Sequence, residues 1–394
     1  MEPASAAGDD AAPVTLAEQL GAREVHPQRQ SPLYGRIPAE LRDHIFRYAL
    51  EEFCPPEAQA RLPTFSARYY RHGEEPPSTP EYLTAIGDGQ EVRYAGRRRR
   101  EARRGYDWVR PDCPEPTAVA VALLATCRAV YLETHALPLM LREHRFYLER
   151  GPPHGVGSVA GLRAYFEEAL SGPAPVRGLR QRDLVRSVRF FVQLFWLEDA
   201  NAPYHFWHLA TATPWLRPVE RLRITVRRAD WWHWESNTLP AINPFRGTAG
   251  NARMHQDMRA GDGNHPFADR VWGLAFQHMP NLQTLVMDFE TSEDLKAELD
   301  DILRWAVKWR LPLSGGRFLS AAGQPVEMMR WRGSDYHWSD YSPRDYRSAT
   351  HRENDEPHGF GPRLYTGTVT WTACSEEPVR SGEEGGGRQE ASER

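Results

Sequence analysis

The chain has 394 residues, a formal net charge of −4 and an apolar fraction of 40%, a size and composition suited to two or three domains with real cores. This balance excludes the strongly basic surface of a dedicated nucleic-acid binder or membrane-surface protein, and no apolar run approaches the ~20 residues that span a bilayer. The four cysteines, Cys54, Cys113, Cys127 and Cys374, have no paired spacing, which points to reduced thiols in the cytosol or nucleus. No secretory signal pattern opens the chain.

Residues 1–30 are rich in Ala, Gly, Pro and acids and lack periodicity, so they are expected to be disordered. Leu33 to Leu50 then predicts a helix. Pro38 suits its first turn, where a missing N–H costs nothing, and Glu40 faces the positive end of the helix dipole. Leu41, Ile45, Tyr48 and Ala49 share one face, and Phe46, Leu50 and Phe53 widen it. A helix this apolar needs a cover. Residues 51–117 form an excursion punctuated by Pro55, Pro56, Pro63, Pro76, Pro77, Pro80, Gly87, Gly89 and Gly96, with short strands expected at Phe65–Tyr70 and Glu91–Tyr94. Inside it, Arg97, Arg98, Arg99, Arg100, Arg103 and Arg104 suit a solvated loop, an import signal or a phosphate contact. Only Tyr94, Tyr106 and Trp108 flank them, a thin platform for stacking bases. From Ala118 the pattern returns: Leu123, Leu124, Cys127, Val130 and Tyr131 make a helical stripe, Pro138 stops or kinks it, and Arg145–Glu149 predicts a strand.

Two phrases carry a resemblance. Ile37-Pro38-Ala39-Glu40-Leu41, with Ile45 following, resembles the opening of an F-box. Leu123-Leu124-Ala125-Thr126-Cys127-Arg128-Ala129-Val130-Tyr131-Leu132-Glu133 resembles the second half found in fungal F-box-like families known only as a domain of unknown function. Arg145-Phe146 stands where those families carry Asn-x-Phe, and Trp305 to Leu313 is similar to another of their stretches. The match covers about 50 residues in two halves, separated by the long insert. It implies an F-box-like helical region at 31–150, carrying the insert at 51–117, and a partner resembling the Skp-type adaptor of a cullin ubiquitin ligase. Pro38, Glu40, Leu41 and Ile45 would then lie at the partner-binding face. Lysine is scarce: Lys and Arg number 49 together, and only Lys296 and Lys308 are lysines. A GC-rich genome produces that bias, and a chain working beside a ubiquitin-transferring enzyme also gains from offering few amines.

Residues 151–374 alternate strand and helix. Ser158 caps a predicted helix at Val159–Leu170. Strands are expected at Val185–Phe195, Arg221–Val226, Leu282–Phe289, Pro325–Trp331 and Leu364–Ala373, and helices at Tyr204–Thr211, Ala268–Met279 and Ser292–Arg310. The pattern predicts an α/β fold, with F-box-like helices on an irregular, mostly parallel, leucine-repeat-like sheet with crossover helices. Residues 375–394 are rich in Glu and Gly and expected to be disordered.

Catalytic signals are weak. Gly155-Val156-Gly157-Ser158-Val159-Ala160 matches a dinucleotide fingerprint but lacks the flanking strand and acid, so a glycine turn into a capped helix explains it. His205, His208 and His233 lack the further ligands zinc requires. No acids stand out as a tuned pair, so no cofactor, metal or catalytic residue is expected. Thirteen tryptophans include six between Trp196 and Trp234. Extended geometry would turn Trp231 away from Trp232 and Trp234, making these three candidates for partner binding. The expectation is therefore a non-catalytic, intracellular interaction protein, with an orphan scaffold or an arginine-run nucleic-acid protein as alternatives. The orphan-scaffold reading places Leu41 and Ile45 against strands of the C-terminal region. Nucleic acid and membrane are disfavoured as partners, and the oligomeric state is not legible.

Overall fold

Alternation is the organising signal. Runs such as Arg221-Leu222-Arg223-Ile224-Thr225-Val226 place apolar groups on one side of an extended chain and polar groups on the other. Such runs pair into one nine-stranded mixed sheet. The computed structural model describes residues 15–55, 67–71, 110–113, 117–148, 158–174, 179–199, 201–202, 205–236, 238–247, 251–260, 265–332 and 363–375. Its α-helices are α1 (Leu16–Gly21), α2 (Pro32–Gly35), α3 (Ala39–Ala49), α4 (Arg128–Thr134), α5 (Leu137–Leu141), α6 (Val159–Ala164), α7 (Leu194–Glu198), α8 (Phe206–Ala212), α9 (Asn251–Ala260) and α10 (Lys296–Ala306). Its strands are β1 (Ala67–Arg71), β2 (Glu143–Tyr147), β3 (Ser187–Phe191), β4 (Arg221–Val226), β5 (Thr284–Ser292), β6 (Leu311–Pro312), β7 (Arg317–Ser320), β8 (Glu327–Arg332) and β9 (Arg363–Ser375).

The order across the sheet is β1-β8-β9-β5-β4-β3-β2, and the β6–β7 hairpin joins β9. Strands β2 to β5 run parallel, joined by helical connections as parallel pairing requires. The later strands add an antiparallel wing, with β9 pairing β5, β7 and β8. The α/β expectation holds. The parallel block is the part that alternates strand and helix in sequence, and the wing is built from β1 and the strands after α10.

One face of the sheet is apolar and lies beneath helices. Val188, Phe190, Leu222, Ile224, Leu285, Met287 and Phe289 join Leu299, Ile302, Leu303 and Ala306 of α10 in the main core. Aromatic pairs finish it: Phe166 stacks on Trp215 at 4.3 Å, and Trp309 on Trp371 at 5.8 Å. Gly367 is needed where α10 crosses β9, because a Cβ there would stand 2.3 Å from Cδ1 of buried Leu303. The opposite face is charged, and Arg110–Cys113 covers it.

Several expected boundaries move. The helical region was expected to end at 150, yet β2 within it is a strand of the common sheet. The insert at 51–117 supplies β1, which pairs with β8, as well as the cover at 110–113. Residues 15–30, expected to be disordered, contain α1. Thr15 caps it reciprocally with Glu18, and Arg128 Nη1 donates to the Glu24 carbonyl at 3.0 Å. Helix α9 and strands β6 and β7 were not foreseen, and the stretch expected as helix at Ala268–Met279 is a 3₁₀ segment at Trp272–His278. The strand expected at Glu91–Tyr94, the arginine run, Gly155–Gly157 and residues 376–394 lie outside the described residues.

His144 ties the helical part to the sheet. Its Nε2 lies 2.9 Å from the Leu139 carbonyl, which only accepts, so Nε2 carries the proton and the Tyr165 hydroxyl donates to Nδ1 at 2.7 Å. Burial disfavours a second proton, and nearby Arg142 adds to that, lowering its pKa to about 4. The unfolded chain takes up this proton near pH 6.5, the folded chain only near 4. Stability from this group is therefore complete above about 6.5 and falls by about 3 kcal/mol as the pH drops to 4. Urea unfolding across this range should show the loss, and His144→Gln, which has no proton to take up, should remove that part of the slope.

Candidate functional site

Helix α3 is where the phrases beginning at Ile37 and Leu123 meet. Pro38 sits at its N-cap, Glu40 lies in its first turn, and Arg47 in its last turn pairs with Asp43 at 2.7 Å. At 11 residues it is too short to persist alone. Phe46 and Leu50 pack with Val130 of α4 and Leu137 of α5, and Leu33, Leu123, Leu124, Cys127 and Leu141 close this small core. Arg42 seals it from above: Nε and Nη2 donate to the two carboxylate oxygens of Glu133, both at 2.9 Å, and the guanidinium lies 4.6 Å over the Tyr34 ring. The phrases beginning at Ile37 and Leu123 thus condense into one helical unit across the intervening insert.

The unit joins the edge of the sheet at β2. Glu52 accepts from Arg145 at 3.0 Å, pairs with Arg142 at 3.4 Å and accepts from the Thr117 hydroxyl. Phe53 and Ala118 form an antiparallel bridge beside them. Arg145 is therefore part of the joint.

The other side of α3 is bare. Leu41 is 56% exposed, Ile45 44% and Tyr48 83%. Pro38, Glu40 and Ala49 are exposed beside them. The face read from sequence as needing cover is this one, while the buried stripe is its flank, Phe46 and Leu50. The placement of Leu41 and Ile45 against C-terminal strands, expected of an orphan scaffold, does not occur among the described residues.

The tryptophan candidates are placed differently from expectation. Trp231 is buried, its Nε1 donating to the Glu290 carbonyl at 2.6 Å, and offers nothing to a partner. Trp232 and Trp234 are half-buried against the main core, and Trp232 Nε1 donates to Glu198 at 2.8 Å. The extended geometry that would have parted them is absent. A 3₁₀ turn at Arg228–Asp230 precedes them, and His233 takes a left-handed φ of 54°. The rings instead turn inward.

The charged face was not visible in sequence, because its members are gathered from β3, β4, β5, β9 and the segment at 110–113. Strand pairing aligns Arg189 of β3 with Arg223 of β4, and Thr225 of β4 with Asp288 of β5. Asp288 accepts from Arg189 at 3.0 Å, Arg223 at 2.8 and 2.9 Å, and the Thr225 and Thr368 hydroxyls at 2.6 and 2.8 Å. Asp112 accepts from Arg110 at 3.1 Å, Arg189 at 2.8 Å and Arg223 at 2.9 Å. Glu290 binds Arg110 at 2.5 Å. Burial would raise both aspartate pKa values, but the surrounding guanidiniums outweigh it and hold them well below the usual carboxylate range. The remaining guanidinium faces lie against rings, Arg189 over Phe191 at 4.5 Å and Arg110 over Trp331 at 5.3 Å. Three positive and three negative groups balance; Arg110, Arg189, Asp288 and Glu290 are buried, and Arg223 and Asp112 reach the surface with 19% and 15% of their side chains exposed. This is the arrangement of a layer of mutually paired charges that ties three strands to the segment at 110–113.

Among the described residues, no three His, Cys, Asp or Glu side chains are placed to hold a metal ion, and no helix is long and apolar enough to cross a membrane. Comparison with protein-family models, curated proteins and solved structures returned no match.

Removing one member of the layer strands the rest. Asp288→Asn should lower unfolding free energy by about 3–5 kcal/mol in urea titration, because Arg189 and Arg223 lose a buried counter-charge. A loss within about 0.5 kcal/mol would show that the layer contributes nothing to folding.

Proposed function

We propose that this protein is a non-catalytic interaction protein whose helical unit docks on a partner resembling the Skp-type adaptor of a ubiquitin ligase. The observation that carries this reading is the split character of α3. One stripe builds the unit's core, and the other, Leu41, Ile45 and Tyr48, stands in water. An apolar face of this kind on a helix fits a partner's groove through anchors spaced at i, i+4 and i+7. Pro38 and Glu40 adjoin it, in the phrase that resembles an F-box opening. The scarcity of lysine suits work beside a ubiquitin-transferring enzyme.

The test is size-exclusion chromatography of the full chain with the recombinant Skp-type adaptor of the same host. The two should co-elute. Leu41→Asp/Ile45→Asp should abolish co-elution while leaving the circular dichroism spectrum unchanged, because both positions are exposed; the loss should exceed about 2 kcal/mol. No co-elution, or co-elution retained by the double variant, would contradict the reading.

A further inference from the structure

The turn at Arg110–Cys113 is the part of the charged layer that does not come from a strand, and the sheet holds it as a receptor holds a ligand. Glu290 takes the Arg110 guanidinium at 2.5 Å. Arg189 and Arg223 both donate to one oxygen of Asp112, at 2.8 and 2.9 Å. Cys113 is fully buried against Tyr147 and Phe191. The turn closes on itself, the Cys113 N–H donating to the Arg110 carbonyl at 3.2 Å, so its three anchors come as one unit. The receiving groups are set without it: Asp288 already fixes Arg189 and Arg223.

The fit is incomplete. Arg110 Nη2 and Arg189 Nη1 are buried and have no hydrogen-bond partner among the described residues. Deleting one charge of the layer strands the others, but withdrawing the whole turn returns the charges on both sides to water. Burial of paired charges gains little over that solvated state, and the two idle donors subtract from the gain. The turn is therefore exchangeable. Asp112 and Arg223, 15% and 19% exposed, mark where a competitor enters.

We propose that this face of the sheet is a recognition seat for an Arg-x-Asp turn followed by a small apolar residue, and that residues 110–113 fill it in cis as an autoinhibitory latch. A partner segment of the same chemistry displaces the latch and takes its place. The seat is independent of docking on α3, because the helical unit keeps its own joint through Glu52, Arg145 and the Phe53–Ala118 bridge.

The probe is a synthetic peptide spanning residues 106–117 with Cys113→Ala, added to the full chain. In the first arm the unaltered chain is treated with iodoacetamide and modification is located by peptide mass spectrometry. Saturating peptide should speed labelling of Cys113 roughly tenfold or more, because that thiol reacts only when the turn is displaced. Cys54, Cys127 and Cys374 should keep their rates. In the second arm the Arg110→Gln/Asp112→Asn chain, whose own turn has lost both charges, should bind the fluorescein-labelled peptide roughly tenfold or more tightly than the unaltered chain does, with affinity that falls as salt rises. A control peptide carrying Arg110→Gln and Asp112→Asn should do neither, and Leu41→Asp/Ile45→Asp in the chain should change neither readout. If the latch variant fails to fold, the first arm decides alone. Cys113 labelling unchanged by the peptide, acceleration at all four cysteines, equal affinity of the two chains, or equal action by the control peptide overturns the proposal.

Discussion

The architecture depends on the carboxylate of Asp112. Near its end the insert must be tied back to the sheet, and Asp112 does this by accepting from Arg110, Arg189 and Arg223 at once. Alone, each of these charges would be costly to bury; together with Asp288 and Glu290 they neutralise one another and satisfy most of one another's hydrogen bonds, Arg110 Nη2 and Arg189 Nη1 excepted. Once that segment is pinned, Ala118 can pair with Phe53, and the following residues arrive beside α3. An ionic contact on one face of the sheet thus sets where an apolar core forms at its edge.

The helical unit that results is asymmetric. A single turn-and-helix partner can cover only one side of α3, and it covers Phe46 and Leu50. The stripe left in water is a liability for an isolated protein and an asset for one that docks.

Much of the fold was legible because period and strand length coincide with burial. The alternation in Arg221–Val226 located β4 with its observed bounds, and Ser158 capped its helix as read, its hydroxyl accepting from the Gly161 N–H at 3.1 Å. Legibility failed where context overrides pattern. Helix α9, Asn-Ala-Arg-Met-His-Gln-Asp-Met-Arg-Ala, is polar enough to pass for loop; it is held through Met254 in the main core and by Asp257, which accepts from Asn243 and Arg246. Strands β6 and β7 are too short to show a period. The α3 stripe was legible as apolar, but which of its two sides would be covered depends on Val130 and Leu137, about ninety residues on. The charged layer left no local signal: its arginines look like others in an arginine-rich chain until strand register aligns them.

The central claim, that α3 is buried on one flank and open on the other, is tested most directly by thiol labelling of the native full chain. Ile45→Cys and Leu50→Cys variants would be treated with iodoacetamide, with modification located by peptide mass spectrometry. The account predicts that Ile45→Cys reacts at the rate of an exposed thiol and Leu50→Cys roughly 100-fold or more slowly, because the latter reacts only after the helical unit opens. Equal reactivity at the two positions, whether both fast or both protected, would contradict it.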